Sequence, residues 1–316
     1  MTFWNRNWGW RYLLVKRVAI IILFILAFLT ACSESTDYKK VSLAVEPVDQ
    51  LPTAPAGTLR IAVAAVISPQ GTSLSYSPLL EYLGQRLDQP VTLVQRQTYA
   101  EVNDLIRTGE VDLAFICTGA YVQGGPELGA ELLAAPQVGG ETVYYSYIIV
   151  PADSDIQNFA DLRGRSFAFT DPLSNTGRLS TVHLLWQQDE TPESYFAETI
   201  YTFSHDNSIR AVADGLVDGA AVDSLVYDYL IQREPDLSNQ IRVVEKSIPY
   251  GIPPVVIPAT ADEAFKDKAR QALLTMHLDA TGKAILETLG IDRFVSGDVA
   301  AYDSVREMLA DLEQIP

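Results

Sequence analysis

The chain has 316 residues, with 40 acidic against 23 basic side chains and a net charge of −17. That balance repels nucleic acid and argues against a basic membrane-binding face. Beyond Cys32 only Cys117 remains, so the body holds no internal disulfide or thiolate metal cluster. His183, His205 and His277 lack zinc-site spacing, and no metal or other cofactor is expected.

At the N-terminus Arg6, Arg11, Lys16 and Arg17 precede an apolar run from Val18 to Leu29, which stops at Leu29-Thr30-Ala31-Cys32. Basic flank, short apolar core and small residues are the layout of a secretory leader over residues 1–31, too short for a comfortable membrane span. The Leu-x-small-Cys ending resembles the bacterial lipobox, which implies a lipid anchor on Cys32 and an extracytoplasmic protein. Residues 32–56 have no periodic pattern and carry Pro47, Pro52 and Pro55, as expected of a flexible tether.

From Leu59 the pattern alternates. Leu59–Ala64 reads as a strand, Tyr76–Leu87 as a helix, Val91–Gln95 as a strand, Ala100–Thr108 as a helix and Val111–Ile116 as an apolar strand. A β-α-β-α-β series implies a parallel sheet covered on both faces. The pattern restarts after Ile148, with strands at Ser166–Phe169, Tyr201–Phe203 and Ala220–Val222 and helices at Arg178–Gln188 and Ser208–Asp214. The run Leu105–Ala114 is echoed by Ala211–Ala220, each with a glycine ending a helix (Gly109, Gly215) and a Val-Asp pair opening a strand (Asp112, Asp218). Two similar α/β lobes in series are the reading, with ligands beyond the carboxyl ends of their strands.

The most informative stretch is Ser166–Gly177. An apolar strand runs into Asp171-Pro172, a turn signal, and then into Ser174-Asn175-Thr176-Gly177 at the start of a helix. Hydroxyls, an amide and unpaired backbone N–H groups there suit an anion, although an ordinary helix cap has the same residues. No phosphate-loop lysine is present, and neutral donors would carry the contact. His205 and Asp223, each placed after a later strand, are candidate partners for the ligand: His205 as a hydrogen-bond donor and Asp223 as an acceptor from a protonated oxygen or an amine. From the first lobe Ser68, Thr98, Tyr99, Thr118, Gly119 and Tyr121 stand after strands and Tyr76 opens the first helix; of Tyr144, Tyr145 and Tyr147, which precede the expected hinge, Tyr145 is placed nearest the cleft.

In order along the chain, Leu59-Arg60-Ile61-Ala62-Val63, Tyr76-Ser77-Pro78-Leu79-Leu80-Glu81-Tyr82-Leu83, Gly109-Glu110-Val111-Asp112-Leu113-Ala114, Thr118-Gly119-Ala120-Tyr121-Val122, Asp171–Gly177, Ser204-His205-Asp206 and Ala220-Ala221-Val222-Asp223-Ser224 resemble the phosphate/phosphite/phosphonate-binding proteins of ABC importers. The resemblance runs from about residue 57 to the C-terminus. It implies an α/β, two-lobed type II periplasmic-binding-protein fold with the ligand cleft between the lobes. Residues 57–147 plus 249–316 would form one lobe and 148–248 the other, with crossings near Tyr147–Pro151 and Glu245–Pro249. It also implies a small phosphorus oxyanion as ligand, a permease and an ATPase as partners, and Ser174, Asn175, Thr176, Gly177, His205 and Asp223 as contacts. The chain departs from the family pattern at Asn175, where serine is frequent, and at Cys117-Thr118-Gly119.

Two other classes compete. Ser174, His205 and Asp223 are a hydrolase's residue types, but no Gly-x-Ser-x-Gly elbow surrounds Ser174 and no catalytic residue is assigned. A ligand-sensing lipoprotein of the same fold would carry the same site.

Overall fold

The computed structural model describes residues 57–313; the expected leader, Cys32 and the tether over residues 32–56 lie outside the described residues. The first half opens β1 (Leu59–Val63), α1 (Pro69–Leu87), β2 (Val91–Val94), α2 (Tyr99–Arg107), β3 (Leu113–Phe115), α3 (Thr118–Gly124) and β4 (Ala130–Gln137). There follow β5 (Val143–Tyr144), β6 (Ser146–Pro151), β7 (Ser166–Phe169), α4 (Ser180–Trp186), β8 (Glu198–Tyr201), α5 (His205–Ala213), β9 (Gly219–Asp223), α6 (Ser224–Arg233) and β10 (Ile241–Lys246). The chain closes with β11 (Tyr250–Gly251), β12 (Val255–Pro258), α7 (Glu263–Leu274), α8 (Ala280–Leu289), β13 (Arg293–Val295) and α9 (Asp303–Leu312).

These strands make two principal sheets. One has the order β13-β4-β12-β3-β1-β2, the other β10-β6-β9-β7-β8. In the first, β2, β1 and β3 are parallel and β12 runs against β3; in the second, β8, β7 and β9 are parallel and β6 runs against β9. Both are therefore the same motif, three parallel strands closed by one antiparallel strand. The chain passes between them through the short ladder of β5 and β11. Tyr147–Pro151 and Glu245–Lys246, expected at the crossings, instead lie inside β6 and β10, which pair with each other.

Alternating side chains on the central strands enter different cores, which is why those strands read as unbroken apolar runs. On β7, Phe167 and Phe169 join Leu185 and Phe196 on one face, while Ala168 joins Ile209, Val212 and Val222 on the other. In the first lobe Ile61, Leu83, Leu113, Val255 and Leu273 share one core.

The internal echo has a physical basis. Gly109 and Gly215 both take left-handed φ values, +71° and +67°. Asp112 then accepts from the Arg60 backbone N–H (2.7 Å) at the start of β1, and Asp218 accepts from the Ser166 backbone N–H (2.9 Å) and hydroxyl (2.6 Å) at the start of β7. Each aspartate fixes the register of the strand beside its own.

Three expected elements shift. The first helix begins at Pro69 rather than Tyr76, because proline at a first turn gives up a donor that has no partner there. The strand expected at Tyr201–Phe203 ends at Tyr201, since Phe203 adopts φ +60° and turns the chain. The helix expected from Arg178 starts with a wide π turn at Asn175–Leu179, in which the Leu179 N–H reaches back to the Ser174 carbonyl (2.9 Å).

Replacing Asp218 with Ala removes two hydrogen bonds to Ser166 and is expected to lower unfolding free energy by about 1–3 kcal/mol. Urea unfolding measures it; an unchanged midpoint would show that β7 needs no such pin.

Candidate functional site

The cluster that the sequence singles out is built at the carboxyl end of β7. Ser174 caps the π turn by accepting from the Gly177 N–H (3.0 Å), and the Ser146 hydroxyl donates to the Thr176 carbonyl (2.6 Å). Gly177 is required by space, since a Cβ there would collide with Thr170 and the ring of His205. Ser174, Asn175 and Thr176 are fully buried. The Asn175 amide donates to the Tyr144 hydroxyl (3.2 Å), leaving its Oδ1 without a partner, as are the Thr176 hydroxyl and the Tyr99 hydroxyl. Buried polar atoms are almost always paired, so three such atoms call for a missing partner.

His205 begins α5 rather than ending a strand. Its ring is buried, and burial lowers its pKa to about 3, so it is neutral at neutral pH. Nδ1 accepts from the Asp223 backbone N–H (3.0 Å), which leaves the proton on Nε2, 3.5 Å from the Ser174 oxygen. The ring is a neutral donor that joins the two loops.

Asp223 both caps α6, accepting from the Leu225 N–H (2.7 Å), and is buried itself. Burial pushes its carboxyl up to about 7. Its charge also raises the hydroxyl pKa values of Tyr76, Tyr99 and Tyr144, after the larger effect of their own burial, so the four groups share one neighbourhood.

The two lobes meet across this region. The His205 N–H donates to the Val66 carbonyl (2.9 Å), the Ser68 N–H to Asp206 (2.8 Å) and the Tyr99 N–H to Asp171 (3.1 Å). Gly119 of α3 lies so close to Leu173 and Asn175 that a Cβ would overlap their backbone. The lobes are therefore closed on one another.

Beside Asp223 lies a cavity of about 420 Å³, with Tyr76, Phe115, Ile67, Asp223, Pro254 and Phe294 among its walls. Tyr76 stands edge-on to Phe115, and burial is the main reason its hydroxyl pKa is pushed to about 12.

Several expected contacts have other partners. The Thr118 hydroxyl donates to the Gly251 carbonyl (2.8 Å). Thr98 forms a capping box with Glu101 at the start of α2. Ser68 stands before α1, where its backbone and not its hydroxyl makes the interlobe bond. Tyr121 packs edge-on against Tyr302, and Tyr145 lies beneath the Lys246 ammonium, 3.6 Å from the ring centre. The structure thus gathers Ser174, Asn175, Thr176, Gly177, His205, Asp223 and Tyr76, with Thr118 reaching them through Tyr144, and directs Ser68, Thr98, Tyr121 and Tyr145 to other partners. Of the residues after β2, Tyr99 rather than Thr98 has the unpartnered hydroxyl, and before β6 Tyr144 rather than Tyr145 meets Asn175. Among the described residues no group of acidic, histidine or cysteine side chains is arranged to hold a metal, and no helix is long and apolar enough to cross a membrane. Cys117 is buried, with its thiol pushed up to about 11 mainly by that burial, and is unreactive.

Residues 61–302 match the family described as the periplasmic substrate-binding protein of phosphonate ABC transporters. The phosphate-import protein PhnD of Mycolicibacterium smegmatis is 32% identical over 201 residues, 59% of this chain and 62% of that protein, so the match spans less than two thirds of the relative's length. A binding-protein component of an ABC phosphonate transporter from Pseudomonas aeruginosa superposes with a TM-score of 0.76 at 22% identity, covering 81% of this chain and 86% of that one. PhnD1 of Prochlorococcus marinus in complex with methylphosphonate gives 0.74 at 18% identity, covering 82% and 99%. These likenesses fix the fold as the two-lobed type II architecture. With the family match over residues 61–302, the chain belongs to the periplasmic substrate-binding proteins of phosphonate ABC transporters.

Proposed function

We propose that the chain captures a small phosphorus oxyanion, a phosphonate, phosphite or phosphate, between its lobes and delivers it to the permease and ATPase of an importer. In this reading it works outside the cytoplasm, held to the membrane by lipid on Cys32. The observation that carries the ligand class is the trio of buried, unpartnered oxygens on Tyr99, Asn175 and Thr176 beside a helix start. The importer relative and the methylphosphonate complex support it.

The chemistry is that of neutral donors. The Tyr99 and Thr176 hydroxyls each have a proton to give. Turning the Asn175 amide over would let Tyr144 donate to Oδ1 and present the NH₂ group to an arriving anion. His205 adds no charge, because a ring with a pKa near 3 stays neutral. Asp223 sets the protonation state that is accepted: a carboxylate beside an anion is tolerated only when a proton lies between them.

Thr176→Val replaces an unpartnered hydroxyl with a methyl of the same shape. Methylphosphonate affinity is expected to fall by about 1–3 kcal/mol while ligand-free thermal stability stays equal or rises. Titration calorimetry and calorimetric melting check the pair; undiminished affinity would return the cluster to a simple helix cap.

The second expectation concerns pH. The folded protein holds the Asp223 proton more tightly than an unfolded chain, whose carboxyl titrates near 3.8, so its contribution to stability is complete below that value and is lost as pH rises through about 7. Asp223→Asn removes this loss. Wild-type affinity for methylphosphonate should decline as pH passes about 7, and the variant's pH profile should lack the Asp223 step; superimposable profiles would deny Asp223 any part in proton sharing.

A further inference from the structure

The cavity beside Asp223 is far larger than a small oxyanion needs. Its volume of about 420 Å³ compares with the ~150 Å³ of an apolar cavity that accommodates benzene. Its walls come from both lobes: Val63 at the end of β1 and Ile67 beyond it, Phe115 at the end of β3, Val226 on α6, Pro254 before β12 and Phe294 on β13. The lining is mainly apolar, and it contains no lysine or arginine. Two of its polar groups, the Ser75 and Tyr229 hydroxyls, are 3.1 Å apart and satisfy each other across the lobes. The remaining charges are carboxylates, Asp223 and Asp228, and Lys246 acts on Asp228 from outside the lining.

Asp223 connects this chamber to the oxyanion cradle. Its carboxyl is in the chamber wall, its backbone N–H is on His205, and His205 faces Ser174. A ligand whose head sits among Tyr99, Asn175 and Thr176 therefore has an apolar space next to it, reached past Asp223.

Resting on the oxyanion reading above, we propose that the chamber holds the organic substituent of the ligand, and that this ligand is an alkyl- or arylphosphonate with a neutral, apolar tail of about six carbons or more. The lower bound on size follows from the volume, which exceeds that of a cavity holding a six-carbon ring, and the polarity from the walls. An anionic tail would meet Asp223 and Asp228 with no cation in the lining, Lys246 acting from outside on Asp228, so carboxylated phosphonates are disfavoured. A methyl substituent would leave most of the apolar surface uncovered, and each buried methylene contributes about 0.8 kcal/mol of driving force before the ordering of the tail is subtracted.

Titration calorimetry on the full chain with methylphosphonate, n-hexylphosphonate, phosphonoacetate and n-hexanesulfonate tests this. Hexylphosphonate is expected to bind at least about tenfold more tightly than methylphosphonate, and phosphonoacetate more weakly than either. Ile291→Trp fills the chamber from the loop between α8 and β13 and should erase the hexyl advantage without altering methylphosphonate binding. Gln232→Trp, at an exposed position of the lining, is the second variant should the first misfold, with the same expected result. Equal affinities for the methyl and hexyl compounds overturn the chamber assignment and leave the oxyanion reading in place. Hexanesulfonate and hexylphosphonate binding alike, with no methylphosphonate binding, removes the phosphorus preference and keeps the chamber. Absence of binding by all four compounds overturns both.

Discussion

Neutrality of the buried His205 ring is the constraint on which this site depends. The ring takes the Asp223 N–H on one nitrogen and faces Ser174 with the other, so the loops after β7 and β9 are fixed to each other through it. A charged imidazole could not accept from that N–H, and burial keeps the ring neutral down to about pH 3. The same residue's backbone reaches Val66 in the other lobe. One side chain therefore aligns the cradle within a lobe while its main chain helps to close the cleft.

From that neutral frame follows how, under the proposed function, a net-negative protein would accommodate an anion. Hydroxyls, an amide and a helix start would supply hydrogen bonds without a formal positive charge, and Asp223 would add a negative one that must share a proton with the ligand. Discrimination would then come from protonation rather than from charge attraction. An oxyanion that retains a proton at neutral pH satisfies Asp223; one that is fully ionised does not.

The sequence made the architecture readable because both lobes repeat one grammar. Gly109 and Gly215, followed by Asp112 and Asp218, mark the same helix-to-strand turn twice, and the structure shows each aspartate holding the neighbouring strand. The cradle was also legible, since Ser174 to Gly177 are contiguous. First-lobe contacts were not. Position after a strand says that a residue is near the cleft but not where its side chain points, and so Thr98 and Tyr99 read alike although it is Tyr99 that has the unpartnered hydroxyl, and Tyr145 was expected where Tyr144 meets Asn175. Residues 69–75, which hold Pro69 and Gly71, went unread as the first two turns of α1, and the left-handed Phe203 shortened β8. The chamber left no trace at all, because its walls are assembled from segments between Val63 and Phe294 that are far apart in the chain.

The central claim is that a neutral-donor cradle with a proton-sharing Asp223 selects a phosphorus oxyanion. Competition calorimetry of methylphosphonate against sulfate at pH 7.5, just above the value of about 7 at which Asp223 loses its own proton and where, of these two anions of similar shape, only the phosphonate still has a proton to share, measures this most directly. The account predicts that a large excess of sulfate, about a hundredfold, leaves methylphosphonate binding nearly unchanged. Displacement by an equimolar amount of sulfate would contradict it.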